Sequence, residues 1–194
     1  MVDSFCYLGD MIGGGGGCTD AVVTRSRAGW GKFKEMLPVL TCRSLLLKTR
    51  GAIYNTYVRS SMLHGSECWA PKMEDIRRLK RHERLMLRWL CGLKPDDQKG
   101  LDSIYKELKI PSLEVSLQMR RLSWYGHVQR SEGWIQRCTA MQVAGRAPRG
   151  RPKQTWSDIL CKDMVAWGLD PVKTKDRSDW KRSIRSAMKH LTHC

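Results

Sequence analysis

Nowhere does the sequence approach the ~20 consecutive apolar residues that a membrane-crossing helix needs. The residues after Met1 are mixed, with Asp3 and no basic cluster ahead of an apolar run, so no secretory leader is expected either. The expectation is a soluble, intracellular chain that is not secreted. Acidic residues are scarce: nineteen Asp and Glu against thirty-five Lys and Arg leave a net charge of +16. That excess repels itself in a compact chain unless an anionic partner relieves it. Nucleic acid is the first candidate partner and an acidic membrane surface the second. Phenylalanine is nearly missing, with two residues against eight Trp and five Tyr. Trp and Tyr keep a polar tip, which suits half-wet surfaces as well as cores.

Paired cysteines are missing too. The Cys residues stand at 6, 18, 42, 68, 91, 138, 161 and 194 with no CxxC among them. Disulfide frameworks and zinc modules bring their ligands in closely spaced pairs, so reduced, buried thiols are expected and no metal site is assigned. The tail His190-Leu-Thr-His193-Cys194 holds one possible pair, but its partners would be remote in sequence.

What is present is a helical chain. Hydrophobic residues make up 41%, enough for a real core. Ser4 to Ile12 is short and apolar-aromatic, an edge strand or hairpin, and runs into Gly13–Gly17, a joint. From Asp20 the pattern turns helical: Val22, Ser26, Trp30, Phe33 and Leu37 recur at helical steps, and Pro38 is expected to end the run. A second helix is expected over about 43–63, with Leu46, Thr49, Ile53, Tyr57 and Ser60 along one side and Gly65 as its stop. The third, about 72–91, places Met73, Ile76, Leu79, Met86, Leu87 and Leu90 in one arc. A short helix at 101–109 and a longer one from Ser112 to about Arg130 follow, the latter apolar on two sides. Thr155 to Asp158 has capping-box form and opens a helix ending at Gly168; a last helix starts near Asp176.

The expected fold is mainly α: a bundle of about six helices after a short N-terminal strand or hairpin stub. The basic, Pro- and Gly-bearing stretch 144–154 is the best candidate boundary. It separates a helical domain (20–143) from a C-terminal helical tail (155–194), with the stub and joint at 1–19.

Six ordered motifs are more specific. Phe5-Cys-Tyr-Leu-Gly9 resembles the F-x-Y-L-G primer-grip turn of reverse transcriptases from LINE-type, non-LTR retrotransposons. Tyr54-Asn-Thr-Tyr-Val-Arg-Ser-Ser-Met-Leu-His-Gly-Ser-Glu-Cys-Trp69 resembles that family's thumb stretch, with His64 where Tyr is usual, and Leu85-Met-Leu-Arg-Trp-Leu-Cys-Gly92 the L-R-x-x-x-G after it. Arg121-Leu-Ser-Trp-Tyr-Gly-His-Val-Gln-Arg130, Gly150-Arg-Pro-Lys-Gln-Thr-Trp156 and Asp176-Arg-Ser-Asp-Trp-Lys-Arg182 are similar to three signatures past the thumb, as in RTE- and jockey-like elements. The resemblance implies a thumb-like bundle and C-terminal tail that bind a template–primer duplex through its backbone. It also implies a primer-grip-like role for Phe5, Tyr7, Leu8 and Gly9.

The same resemblance places the polymerase's catalytic aspartates, and the divalent metal they hold, in a palm that this sequence does not contain. No [FY]-x-D-D motif occurs, and Asp96-Asp97 follows Pro95 in a polar loop that suits a solvated turn. No catalytic residue and no cofactor is therefore assigned, and no polymerase activity is expected from this chain alone. Two other readings stand beside this one: a domesticated DNA- or RNA-binding helical module, and a decayed reading frame without a selected role.

Three sets of cations are candidate nucleic-acid contacts. Arg77, Arg81, Arg84 and Arg88 lie at steps of four, three and four, one stripe along the third helix. The alternative is a solvated face paired with Glu74 or Glu83. Arg149, Arg151 and Lys153, with Arg146, form a second set, or else a localisation-like linker. Arg120 and Arg121 flank Trp124, so cation–π packing within the fold competes there with RNA contact.

Overall fold

The computed structural model describes residues 4–7, 10–13, 17–141 and 154–193, and it is mainly helical. Two strands, β1 (Ser4–Tyr7) and β2 (Asp10–Gly13), pair antiparallel with Phe5 opposite Ile12 and Tyr7 opposite Asp10. The helices are α1 (Thr19–Leu40), α2 (Leu47–Ile53), α3 (Ser60–Met62), α4 (Met73–Cys91), α5 (Leu101–Leu108), α6 (Leu113–Arg130), α7 (Trp134–Ala140), α8 (Trp156–Trp167) and α9 (Arg177–His193). None of the described helices is long and apolar enough to cross a membrane. The chain divides into two compact units, 1–116 and 117–194, with the division falling inside α6.

In the first unit α1 runs two residues past Pro38. Proline there costs the helix the bond that its N–H would have made to the Lys34 carbonyl, so the last turn is completed by other bonds. Thr41 then closes the end, its Oγ1–H donating to the Leu37 carbonyl at 2.8 Å. Between α2 and α3 the helix widens into a π-helical stretch, Tyr54–Arg59. The wider turn lets Arg59, five residues on from Tyr54, share its inward side. Gly51, Tyr54, Val58, Arg59 and Met62 are buried, whereas Leu46, Thr49 and Tyr57 are exposed. The side that Leu46, Thr49, Ile53, Tyr57 and Ser60 share is thus largely the outward one.

The core of this unit joins Phe33 and Leu40 of α1, Tyr54 and Val58, Met86, Leu87 and Leu90 of α4, and Ile104, Tyr105 and Leu108 of α5. Gly51 faces the Leu108 carbonyl so closely that a Cβ there would overlap it, which explains glycine inside a helix. Met73, expected inward, is 65% exposed, because the core-facing arc of α4 begins only at Asp75. Arg50 lies where α1 and α4 end, donating from Nη1 to the Leu90 carbonyl at 2.9 Å and to that of Leu40 at 3.4 Å. A cation there satisfies free carbonyls and complements both helix dipoles.

The second unit is built on α6. The expected boundary at 144–154 falls on residues that are mostly outside the described ones, and the helices beyond it pack with 117–130 as one unit. Trp180 of α9 is 1% exposed and donates its indole N–H to the Leu122 carbonyl at 2.9 Å. Its ring occupies the space in which a Cβ at Gly126 would sit. Thr155 and Asp158 form the expected capping box: Asp158 N–H donates to Thr155 Oγ1 at 3.2 Å and Thr155 N–H to Asp158 Oδ2 at 2.8 Å. These bonds hold the Asp158 carboxyl below its ordinary range. Asp176 does the same for α9, accepting from the backbone N–H of Ser178 and of Asp179.

The thiols are expected to be buried, yet among the described residues only Cys18 is; Cys42 and Cys91 are half-buried, and Cys6, Cys68, Cys138 and Cys161 are exposed. All seven are free. Burial and the nearby Asp75 carboxylate push the Cys18 thiol up to about 11, which leaves it protonated and unreactive near neutral pH.

Candidate nucleic-acid interface

Helix α4 carries the leading candidate surface, and what fixes its orientation is a buried polar cluster beneath it. Glu83, on the inward side of α4, is fully buried. It accepts from Arg59 Nε at 2.7 Å, from the Tyr54 hydroxyl at 3.4 Å and from the Tyr105 hydroxyl. Arg59 Nη1 donates further to the Pro111 carbonyl at 2.7 Å and to Asn55 Oδ1 at 3.1 Å, and its guanidinium lies over both tyrosine rings. Desolvation first, and then the adjacent carboxylate, raise both phenol pKa values well above normal, so both tyrosines remain hydrogen-bond donors. A buried ion pair adds little net stability, but it holds one geometry because every alternative strands a charge. Here it ties α4 to the π-helical stretch and to α5.

With α4 fixed in this way, its outward side is set. Arg77, Arg81 and Arg84 are exposed. They lie roughly 160° around the helix from the buried line of Leu79, Met86 and Leu90. Arg77 approaches Glu74 at 3.9 Å, with both side chains mostly exposed, a pair worth about 0–1 kcal/mol. Arg81 and Arg84 make no ion pair or hydrogen bond among the described residues. Arg88, the fourth of the line, is half-buried and turned onto the following loop, donating to the carbonyls of Lys94 and, at 2.9 Å, of Asp97. Asp97 closes that loop by accepting the Lys94 N–H at 2.6 Å, so this carboxylate serves a turn. The exposed line therefore comprises three arginines, and the local acids do not neutralise it. Glu83, a possible surface partner on sequence grounds, points into the core.

The half-buried His82 lies beside this line. Its Nδ1 accepts the Trp30 indole N–H at 2.9 Å, which requires the ring to be neutral at that nitrogen. Desolvation, and then the charges of Arg78 and Arg81, lower its pKa. Trp89 and Leu85, next to the line, are each about half exposed, and Trp89 meets Phe33 edge-on at 5.8 Å.

The other candidate residues are placed differently. Arg121 is buried, and its Nε donates to Asp163 Oδ2 at 2.7 Å; Gln118 donates to the same carboxylate at 3.0 Å and accepts the Trp167 indole N–H at 3.1 Å. Arg121 thus joins α6 to α8 inside the second unit and is not available to a surface ligand. Trp124 pairs with His127, at 5.1 Å between centroids, rather than with a guanidinium. Arg120 is half-buried. Arg149, Arg151 and Lys153 lie outside the described residues, as do Leu8 and Gly9. Phe5 and Tyr7 stack at 6.1 Å on the exposed side of the hairpin, each 56% exposed. The hairpin is anchored at Asp10, which accepts from the Trp69 indole at 3.3 Å and lies 4.0 Å from Arg25.

Sequence reasoning missed Glu83, Tyr105 and Asp163. Their partners lie 22 to 42 residues away, so no local spacing announces them. Among the described residues, no group of three or more His, Cys, Asp or Glu could hold a metal ion. No family model, curated protein or solved structure matches the chain.

Proposed function

We propose that this chain is the thumb and C-terminal part of a non-LTR retrotransposon reverse transcriptase, and that it grips the sugar–phosphate backbone of a template–primer duplex. The observation that carries this reading is the line of Arg77, Arg81 and Arg84 on the outward side of α4, exposed and set rigidly by the Arg59–Glu83 cluster beneath it. Six motifs in the family's order support the family assignment. Seven residues of helix carry the line over about 10 Å. A nucleic-acid strand advances ~3.4 Å per phosphate along a duplex axis, so about three phosphates fall within reach. Guanidinium groups suit this task because their donors fork onto phosphate oxygens. Backbone contacts of this kind hold a duplex without reading its bases. Polymer synthesis is not proposed for these 194 residues by themselves, since they contain no [FY]-x-D-D motif.

The test is fluorescence anisotropy of a labelled RNA–DNA duplex across a salt series, comparing the full chain with the triple variant Arg77→Gln, Arg81→Gln, Arg84→Gln. Affinity should be independent of base sequence and fall steeply with salt. The variant should lose about 0.9 of log–log slope for each B-DNA-like phosphate contact removed. Unchanged affinity and slope in a folded variant would refute the role of α4. A strong preference for one base sequence that survives high salt would favour a sequence-reading module instead.

A further inference from the structure

The excess charge is concentrated in the second unit. Residues 117–194 hold sixteen Lys and Arg against six Asp and Glu, which is +10 of the chain's +16. Much of it stands on α9. Arg177, Lys181 and Arg185 follow one another at steps of four and are exposed. None of the three makes an ion pair or hydrogen bond among the described residues. Arg182, on the same side, is held by Asp179 at 3.1 Å, and Asp179 is the one acid on the helix. Exposed Lys173 and Lys175 precede the helix in the 3-10 turn Pro171–Lys175.

We infer that α9 is a second polyanion-binding face, independent of α4, that takes the phosphodiester backbone of nucleic acid along Arg177, Lys181 and Arg185. It shares with the proposed function only the class of partner. A basic amphipathic helix also suits an anionic membrane, but such a helix binds by burying its apolar face among lipid chains. That face of α9 is already occupied: Trp180 and Ile184 are buried, the indole locked against Gly126 and bonded to the Leu122 carbonyl. Only the charged side remains, and it is rigid because Trp180 fixes the rotation of the helix. The cations rise about 6 Å per step, or 12 Å in all, which matches three to four phosphates of one strand.

The experiment uses the full chain and two triple variants: Arg177→Gln, Lys181→Gln, Arg185→Gln on α9, and the α4 triple described above. Binding to a labelled 20-base-pair DNA duplex and to a single strand of the same length is measured between 50 and 300 mM salt. Binding to phosphatidylserine vesicles is measured in parallel. The α9 variant should lose at least tenfold in affinity at low salt and up to about 2.7 of log–log slope for three B-DNA phosphates, with α4 intact. Retention of wild-type affinity and slope by the α9 variant overturns the inference, whatever the α4 variant does. So does vesicle binding that falls in the α9 variant while nucleic-acid binding is unchanged. Loss confined to the α4 variant upholds the proposed function and rejects this one; loss confined to the α9 variant does the reverse. Because the three side chains are exposed, the variants should keep the wild-type melting temperature, which a thermal scan verifies.

Discussion

Gly126→Ala separates two arguments that predict opposite signs. Glycine in the middle of a helix costs up to about 1 kcal/mol relative to alanine, so helix propensity alone predicts stabilisation. The packing predicts the reverse. A methyl on Gly126 would overlap Cδ1 and Nε1 of Trp180 and sit 3.1 Å from Arg130 Nη1. The indole cannot swing aside cheaply, since it is 1% exposed and bonded at 2.9 Å to the Leu122 carbonyl. Overpacking of a tight site costs about 1–3 kcal/mol. Loss of the indole hydrogen bond adds about 1 kcal/mol if the ring is displaced. Against the propensity gain, a net loss of about 2 kcal/mol is expected. Trp180→Ala alone should cost about 3–5 kcal/mol. The double variant should cost less than the two singles together, by more than about 1 kcal/mol, because the methyl then enters the space left by the ring. The assay is native-state amide exchange across α6, α8 and α9 of the full chain, which reads the opening free energy of this unit apart from the first. Increased protection in Gly126→Ala, or strict additivity in the double variant, would refute the packing argument.

Glu83→Gln leaves Arg59 charged and buried without a counter-charge, and should destabilise the first unit by about 3–5 kcal/mol in urea unfolding; a loss below about 1 kcal/mol would show that the cluster is not a closed network. His82 should titrate below its ordinary value of 6.5, by NMR of its ring protons, because burial and then Arg78 and Arg81 disfavour the imidazolium. Its lowered pKa in the folded chain means that its contribution is complete above 6.5 and fades as pH falls through the lowered value; His82→Asn, which keeps an acceptor for Trp30, should flatten that part of the stability profile.

The parts of the fold that local chemistry dictates were readable from the residues. Helix α4 was expected at about 72–91 and spans Met73–Cys91, because an apolar arc, an arginine line and Gly92 agree on one helix. The Thr155–Asp158 box marked α8 because both of its bonds span three residues. What depends on distant partners was not readable. Local spacing offers Arg121 either Trp124 or RNA, but its ligand, Asp163, is 42 residues on. In the second helix α-helical steps can be drawn along either side, and the side with Leu46, Thr49 and Tyr57 is the exposed one, because tertiary contacts and not spacing choose the face. On the candidate surface three of the four arginines are exposed, while Arg88 is held by a loop whose path no periodicity encodes.

The widened stretch Tyr54–Arg59 also bears on how this sequence tolerates changes in length. A π-type turn spends one more residue than an α-turn on the same angular advance. Excising the exposed Tyr57 would therefore not simply shorten the rod. It would restore ordinary winding at nearly the same angular advance, leaving Tyr54 and Arg59 four residues apart, on one side of the helix and within reach of Glu83. The surplus residue acts as a shim, and a reading-frame-preserving deletion there should harm the fold less than the same deletion in an ordinarily wound helix.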